Sequence, residues 1–298
     1  MQENLLEIGY QDVPKVLLLG NGINRAYGFS SWEELIKSVQ TKELTKVEQD
    51  SINNVPYPLQ PVILTEDHIG TRMKELSEEL SSLHALSDEE IVLRNFAELP
   101  FDTILTTNYT YELENALYNE FKCLPRQRCK SREVAFDNKG KYETRQLHTY
   151  FSIKNYPPIW HIHGEASRHE TMVLGHYYYG KLLAKMQQYV PSLLARSSVR
   201  TSKKESLKIH SWIDYFMLGD VYIVGLGLSL SELDLWWLIN CKKRHFPGRK
   251  IILFKPDIKP EEKLLAEVYG VTVFSDGNNN DYKSYYDFVC EKLKKDLK

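Results

Sequence analysis

The sequence predicts an α/β protein: a Rossmann-like parallel sheet flanked by helices, with a smaller, mostly helical inserted lobe. Six apolar runs rich in Val, Ile and Leu show little alternation, as expected of strands that are covered on both faces. Helical patterns separate these runs, and alternating strands and helices favour a right-handed parallel sheet. Two stretches, 41–98 and 122–158, interrupt the alternation and predict a small lobe or lid over the strand ends.

The predicted elements follow from local patterns. The strands are Val16–Gly20, Thr103–Thr107, Ile159–His163, Val221–Gly227, Ile251–Phe254 and Val271–Phe274. Helices should begin near Ser30 and Ser87, where a capping hydroxyl precedes acidic residues of a first turn. Further predicted helices are Thr110–Phe121, Tyr178–Arg196, Glu205–Met217, Ser231–Arg244, Pro260–Tyr269 and Asp281–Leu297.

The two interrupting stretches differ in composition. Thr41–Gly70 contains three prolines and predicts a loop before another helix. Lys122–Pro158 contains a turn signal at Asp137–Lys141, which favours the tip of a hairpin. The basic run Arg196–Lys208 has no interleaved aromatic residues, so it is more typical of a solvated helix flank than of a nucleic-acid surface.

Composition narrows the class of protein. A length of 298 residues suits one domain spanning 1–298, and 42% hydrophobic with 26% charged residues is typical of a soluble globular protein. The net charge of −2 creates no global field, so we expect neither direct nucleic-acid nor membrane binding. No run approaches the ~18 apolar residues that span a bilayer. The acidic N-terminal segment does not resemble a secretion signal, and a cytoplasmic location is expected.

The four cysteines do not predict a metal centre. Cys123, Cys129, Cys241 and Cys290 lack the two close pairs of a structural zinc site. We expect free thiols in a reducing compartment, and no bound metal.

Four predicted strands end in small or polar residues, and ligands of open parallel sheets bind beyond the carboxyl ends of the strands. In Gly20-Asn21-Gly22-Ile23-Asn24, two glycines would let exposed N–H groups approach a pyrophosphate. The same pattern is equally typical of a plain strand-to-helix turn. Arg25 stands where a dehydrogenase fingerprint needs glycine, which argues against that class.

The second and third strand ends offer an amide and an imidazole. The Asn108 amide can hold a ribose hydroxyl or orient a water, but it would also serve as the N-cap of a helix near Thr110. Strand alternation places His161 and His163 on one face, yet no matching Cys, Asp or Glu string supports a metal. His163 is a candidate general base, or alternatively a hydrogen-bonded structural residue.

The fourth strand end combines glycines with a hydroxyl. Gly227 permits close approach of a ligand, and Ser229 can bind phosphate or ribose. The alternative is a simple helix start, with Ser231 as N-cap and Asp234 in a capping box.

The order of these four strings resembles the sirtuin superfamily, and most closely the bacterial sirtuin-like NAD hydrolases of antiphage defence systems. The positions that carry the resemblance are Gly20, Gly22, Asn24, Gly28, Trp32 and Leu35, then Phe101 to Tyr109, His163-Gly164, and Gly227-Leu228-Ser229. Asn24 replaces the usual Ser, and Thr110 stands where Asp is typical. The four-cysteine zinc lobe and the Pro-Asp-Phe-Arg segment of protein deacylases are missing from the sequence, which makes water a better expected acceptor than a peptide.

The resemblance implies that NAD is the substrate and is cleaved between nicotinamide and ribose, without a metal. Asn108 would position water or ribose hydroxyls, and His163 would be the general base. The implied NAD-binding residues are Gly20, Asn21, Gly22, Asn24, Arg25, Thr107, Gly164, Gly227 and Ser229. Alternatives are a deacylase or ADP-ribosyl transferase using the same cleavage, and a non-catalytic sensor of NAD or ADP-ribose. Because unregulated NAD hydrolysis is toxic, control by a partner protein or a homo-oligomer is expected.

Overall fold

The computed structural model of the protein describes residues 6–66, 69–80, 87–118, 121, 123, 129–136, 145–275 and 281–298. Its strands are β1 (Glu7–Ile8), β2 (Lys15–Leu19), β3 (Thr103–Thr106), β4 (Arg132–Val134), β5 (Thr149–Phe151), β6 (Ile159–His161), β7 (Leu207–Lys208), β8 (Asp220–Val224), β9 (Ile251–Phe254) and β10 (Thr272–Phe274). Its helices are α1 (Gly22–Ala26), α2 (Trp32–Ser38), α3 (Lys46–Ile52), α4 (Gln60–Thr65), α5 (Ile69–Leu80), α6 (Ser87–Ala97), α7 (Glu112–Leu117), α8 (Arg145–His148), α9 (His176–Lys203), α10 (Trp212–Leu218), α11 (Leu233–His245), α12 (Pro260–Tyr269) and α13 (Tyr282–Asp296).

The main sheet has the strand order β10-β9-β8-β2-β3-β6-β5-β4. The six predicted strands form its parallel part, so the predicted Rossmann-like α/β fold is confirmed. From β2 the chain proceeds to β3 and β6 on one side, whereas from β8 it proceeds to β9 and β10 on the other. The β2–β8 boundary is therefore a topological switch point, the place where such sheets bind ligands.

Helices cover both faces of the sheet. Successive residues of β2 alternate between two apolar layers: Leu17 and Leu19 belong to one, and Val16 and Leu18 to the other. Helices α1, α6 and α13 contact one another in the first layer, and α9, α10 and α11 do so in the second. All four side chains are almost completely buried, which explains why the strand is apolar without alternation.

The first interrupting stretch is more helical than its prolines suggested, and the predicted loop over Thr41–Gly70 is wrong. Thr45 and Glu48 form a capping box that begins α3. Pro58 and Pro61 lie in the first turns of a 3₁₀ helix and of α4. A proline in a first turn lacks only an N–H that would have no helical partner, so it starts these helices rather than ending them.

The second stretch extends the sheet. The predicted hairpin is represented by β4 and β5, which pair antiparallel, and β5 also pairs with β6. The predicted turn at Asp137–Lys141 lies outside the described residues. This stretch therefore adds two antiparallel strands to one edge of the parallel sheet.

One predicted helix is wrong and others differ in their ends. The span Glu205–Met217 is divided, because Leu207–Lys208 pairs with Glu7–Ile8 and the hydroxyl of Ser211 then caps α10. The capped start at Ser31 is confirmed by a capping box with Glu34. The predicted helix Tyr178–Arg196 is present but extends seven residues further, to Lys203. The remaining predicted helices have ends that differ by a few residues, and Pro260–Tyr269 matches as predicted.

The basic run Arg196–Lys208 is only partly the solvated flank that its charge suggested. Arg196 forms a salt bridge of 2.8 Å with the buried Asp214. Arg200 is itself buried and donates to the backbone carbonyls of Gly9 and Asp12. These two cations hold α9 against neighbouring segments instead of facing a partner.

Two further observations bear on the sequence-based expectations. All four cysteines are free thiols, as predicted. Within the described ranges, no helix combines the length and apolar character needed to cross a membrane.

Candidate active site

A cavity of about 610 Å³ lies at the carboxyl ends of β2, β3, β8 and β9. Its size is typical of sites for cofactors and small molecules. Of the eleven residues predicted to form a site, it brings together nine: Asn21, Gly22, Asn24, Arg25, Thr107, Asn108, His163, Gly227 and Ser229. Gly20 and Gly164 do not line it.

The first interrupting stretch supplies one wall of this cavity. Tyr57 and Pro58 line it from the segment before α4, and Leu76 lines it from α5. The hydroxyl of Tyr57 donates to the carboxylate of Glu33 on α2. This hydrogen bond, reinforced by burial, raises the pKa of Tyr57 to about 12.

The first glycines pack two strand ends together. The N–H of Gly20 donates to the carbonyl of Val224 (2.9 Å), and the N–H of Gly22 donates to the carbonyl of Gly225 (2.6 Å). A Cβ on Gly20 would lie 2.6 Å from the Gly225 oxygen, and one on Gly22 would collide with the Tyr286 hydroxyl. Both N–H groups are therefore committed to the protein, and the expectation that they face a pyrophosphate is wrong.

The polar residues after Gly22 have different surroundings. The side-chain amide of Asn21 donates to the carbonyl of Ser30 (2.8 Å) and so fixes the loop before α2. Asn24 is buried at the cavity wall, whereas Arg25 is exposed at its rim. Arg25 is the first of the cations that line the cavity.

Asn108 is held in place by hydrogen bonds of its backbone. Its N–H donates to the hydroxyl of Thr106 (3.1 Å), and its carbonyl accepts from Nδ1 of His161 (2.7 Å). Its Oδ1 is buried and has no hydrogen-bond partner among the described residues. Helix α7 begins only at Glu112 and has no side-chain cap, so the alternative of Asn108 as N-cap is wrong.

His161 is a structural residue. Its Nε2 lies 2.9 Å from Oε1 of the buried Glu114, while Nδ1 binds the Asn108 carbonyl. Burial lowers the pKa of His161, but the charge and hydrogen bond of Glu114, the charge of Glu165 and the Asn108 carbonyl together outweigh that effect and raise the pKa above its ordinary value. Both ring nitrogens thus serve to position the loop that carries Asn108.

His163 follows β6 and has a different partner. Its Nε2 lies 2.8 Å from Oδ2 of Asp234, and both side chains are buried. Burial lowers the pKa of His163, but the charge and hydrogen bond of Asp234 outweigh that effect and raise it above its ordinary value. His161 and His163 are only two residues apart in the chain. They bind different carboxylates, however, and therefore do not share a site.

The Asp234 partnership replaces the capping box predicted at Ser231. Helix α11 begins at Leu233 without a side-chain cap, and Asp234 turns instead toward His163. Ser229 accepts a weak hydrogen bond from the N–H of Ser231 (3.3 Å) through its hydroxyl. Asp234 therefore has a long-range partner and not the local capping role that its sequence context predicts.

Gly164 shapes the loop that carries His163. Its φ of +90° is unfavourable for other residues, and a Cβ there would collide with the carbonyl of Thr171. Its contribution to the site is therefore conformational.

Two buried carboxyl groups at the cavity were missed by sequence reasoning. Glu112 is 2% exposed, and Glu232 is half-buried; each has an oxygen without a hydrogen-bond partner among the described residues. Burial raises the pKa of each to about 7. The only sequence signal was their place, just after a strand end and just before a helix.

Glu232 also adjoins the His163–Asp234 pair. One ligand-type atom from each of His163, Glu232 and Asp234 lies within 4.8 Å of the other two. Such spacing would allow a shared cation, but Nε2 of His163 is already bonded directly to Asp234. The three groups can act as an acid–base cluster without a metal.

The charges of the cavity are uneven. Among the described residues that line it, the cations are Arg25, Lys255 and Lys259, and the seven acidic residues are Glu33, Glu34, Glu79, Glu112, Glu232, Asp257 and Glu262. Lys255 follows β9 and binds both Glu262 (2.6 Å) and the Gly227 carbonyl (2.9 Å). Sequence reasoning missed this fifth strand end, although it predicted the strand itself.

Comparison with known proteins identifies the family. The sequence model described as "Bacteriophage abortive infection AbiH" matches residues 57–254, about two thirds of the chain. The chain belongs to the AbiH family. Membership connects this AbiH protein to abortive infection, a defence against bacteriophage. No curated protein matches it.

A solved structure also resembles this AbiH protein. A crystal structure described as a Sir2 homolog–NAD complex matches 97% of this chain and 93% of that chain, with 10% identity and a TM-score of 0.38. A similarity this distant says nothing about activity.

Proposed function

We propose that this AbiH protein is a NAD glycohydrolase, which releases nicotinamide and ADP-ribose as a regulated effector of antiphage defence. The observation that supports this most is that Asn108 and His163, the partner of Asp234, line one cavity at the switch point of the sheet. Asn108 and His163 are the two residues to which the sirtuin-like motifs assign catalysis. The switch point is also where α/β sheets place nucleotides.

Asn108 would hold the reacting sugar or the attacking water. Its unpartnered Oδ1 is an acceptor, and ribose hydroxyls and water are donors. The carbon–nitrogen bond to the charged nicotinamide breaks with its electron pair moving to the ring, which leaves as a neutral molecule. An oxocarbenium-like ribose remains, and a positioned water adds to it.

His163 would accept the proton from that water. When neutral, its Nε2–H donates to Asp234, and Nδ1 is the nitrogen left with a lone pair. As the water oxygen bonds to the ribose carbon, its proton passes to Nδ1, and Asp234 stabilises the resulting imidazolium. Such general-base assistance is typically worth about 10²–10⁴-fold in rate.

The rest of NAD would lie along the remaining cavity wall. Arg25, Lys255 and Lys259 are the lining cations suited to a pyrophosphate. Polar contacts would come from Asn21, Asn24, Thr107, Gly227 and Ser229, while Gly20, Gly22 and Gly164 shape the loops. We further propose that a partner protein or self-association controls the activity.

The test is to incubate purified protein with NAD and to quantify nicotinamide and ADP-ribose. Wild type and the control His169→Ala, which lies off the cavity, should release both products; Asn108→Ala and His163→Ala should release at least about 100-fold less. Full activity of both site variants would contradict the assignment.

Other outcomes would indicate other functions. Tight binding of intact NAD by the purified protein, with no nicotinamide release even in phage-infected cells that express it, would indicate a sensor instead. Turnover only with an acetylated peptide would indicate a deacylase.

A further inference from the structure

Three buried acceptor oxygens at the cavity lack a donor within the described part of the chain. They are Oδ1 of Asn108, Oε1 of Glu112 and Oε2 of Glu232. An unsatisfied buried polar group destabilises the folded state, so such groups are rare unless a ligand or water completes them. Three in one cavity indicate a ligand that brings donors or positive charge.

The two carboxyl groups approach the cavity from different elements. Glu112 is the first residue of α7, which follows β3, and Glu232 directly precedes α11, which follows β8. Neither forms a salt bridge with a described Lys or Arg, and the nearby Lys255 is bound to Glu262. The charged forms of His161 and His163 favour the carboxylates of Glu112 and Glu232, but each imidazole is already paired with another carboxylate, Glu114 or Asp234. No described Lys or Arg supplies a dedicated positive charge to either group.

A cationic ligand would change the ionisation of both groups. Burial is the largest cause that raises the pKa of Glu112 and of Glu232 to about 7, so that each is partly protonated near neutral pH. A positive charge placed between them would favour the carboxylate forms, whereas a neutral group would leave the desolvation cost unbalanced.

We propose that Glu112 and Glu232 determine specificity by selecting a ligand whose buried end is a cationic heterocycle. For the proposed substrate, on which this inference rests, that end is the pyridinium of oxidised NAD, and the neutral ring of NADH is excluded. Neither residue belongs to the motifs that carried the catalytic assignment. Selection by charge follows from the carboxyl groups alone and does not require hydrolysis.

Calorimetric titration tests this directly. The probes are the carbocyclic analogue of NAD⁺, which keeps the pyridinium but resists hydrolysis, and NADH. EDTA is present throughout, so that no divalent cation can occupy the space between His163, Glu232 and Asp234. The proteins are wild type, Glu112→Gln, Glu232→Gln and the control Asp257→Asn, which removes an exposed carboxylate from the same cavity.

Wild type and Asp257→Asn should bind the cationic analogue at least about tenfold more tightly than NADH. Each Gln variant, which keeps the shape of the side chain, should lose about tenfold in affinity for the cationic analogue and keep its affinity for NADH. If wild type binds both probes with equal affinity, the inference is overturned. This measurement needs only the wild-type protein, so it does not depend on whether a variant folds. Gln variants that bind both probes as wild type does would also overturn it, while NAD binding stands. Failure of wild type to bind either probe would instead refute the proposed function.

Discussion

Nε2 of His163 lies 2.8 Å from Oδ2 of Asp234, a residue 71 positions later in the chain. Two positions before His163, the imidazole of His161 binds Glu114 in the same way, at 2.9 Å. The two pairs differ in what remains free: the Nδ1 of His161 is bound to the Asn108 carbonyl, whereas His163 lines the cavity. The His161–Glu114 pair holds the loop that carries Asn108, whereas His163, the partner of Asp234, lies at the cavity wall.

Asp234→Asn should lower the hydrolysis rate by about 10²–10⁴-fold, because an amide no longer orients His163 or stabilises its charged form. Asp234 raises the pKa of His163, and a general base must be neutral. The acid limb of the rate profile should therefore move to lower pH in the variant. The measurement is kcat against pH, with Glu114→Gln as the matched buried control; a limb that moves equally in the control would contradict the role of Asp234.

Asn108→Ala should reduce activity without reducing stability. The Oδ1 of Asn108 has no partner among the described residues, so its removal breaks no internal hydrogen bond and relieves a buried acceptor. We expect the free energy of unfolding to stay equal or rise by about 1 kcal/mol, while nicotinamide release falls. Urea denaturation measures the first quantity. A loss of more than about 2 kcal/mol would show that the amide has a structural role instead.

Glu112→Gln should change how stability depends on pH. Burial raises the pKa of Glu112 to about 7, above its ordinary value of 4.5, so the folded state holds a proton that the unfolded state has lost. Wild-type stability should therefore fall as pH rises from about 4.5 to about 7 and change little above that, by up to about 1.4 kcal/mol for each unit of raised pKa.

Gln imitates the protonated carboxyl group and does not titrate, so the stability advantage of Glu112→Gln should grow over the same pH range. Thermal denaturation at several pH values provides the comparison. A difference between variant and wild type that stays constant with pH would contradict the raised pKa. Glu114 and His161, whose charges also affect the pKa of Glu112, are present in both proteins. Their own contributions to the pH dependence of stability therefore cancel in the comparison.

Gly164→Ala should destabilise the protein by several kcal/mol, whereas Gly28→Ala should cost only about 1 kcal/mol. Both glycines have positive φ, +90° and +94°. Only at Gly164 would a Cβ also collide with backbone, the Thr171 carbonyl, while Gly28 faces open space. Urea denaturation of the two variants separates collision from backbone strain. Equal losses would show that strain alone decides.

Local sequence patterns predicted the strands of the sheet. They did not predict the side-chain pairs between residues that follow different strands. Val16–Gly20 and Ile251–Phe254 were recognisable because strands buried on both faces are apolar wherever they lie in the chain. The neighbours of each strand are set by packing, and no local pattern in the sequence reveals them. For that reason Lys255 was overlooked, and Asp234 was read as part of a helix cap rather than as the partner of His163.

The errors in the first interrupting stretch have a related cause. Prolines were interpreted as breakers, but their effect depends on the position within a helix, and Pro58 and Pro61 lie in first turns. Glu112 was not predicted as a site residue because its burial has no signal in the sequence. An acidic residue near a helix start is usually exposed, and only the tertiary structure shows that this one is buried.

The hydrogen bond between the N–H of Gly22 and the carbonyl of Gly225 fastens the loop entering one helical layer to the loop entering the other. This junction is formed when the chain folds, before any ligand arrives. The conformational entropy of this part of the cavity is thus lost during folding and not during ligand binding. A ligand would therefore bind to a wall that is already ordered. A substitution that breaks this hydrogen bond would therefore weaken ligand binding without removing any side chain that contacts the ligand.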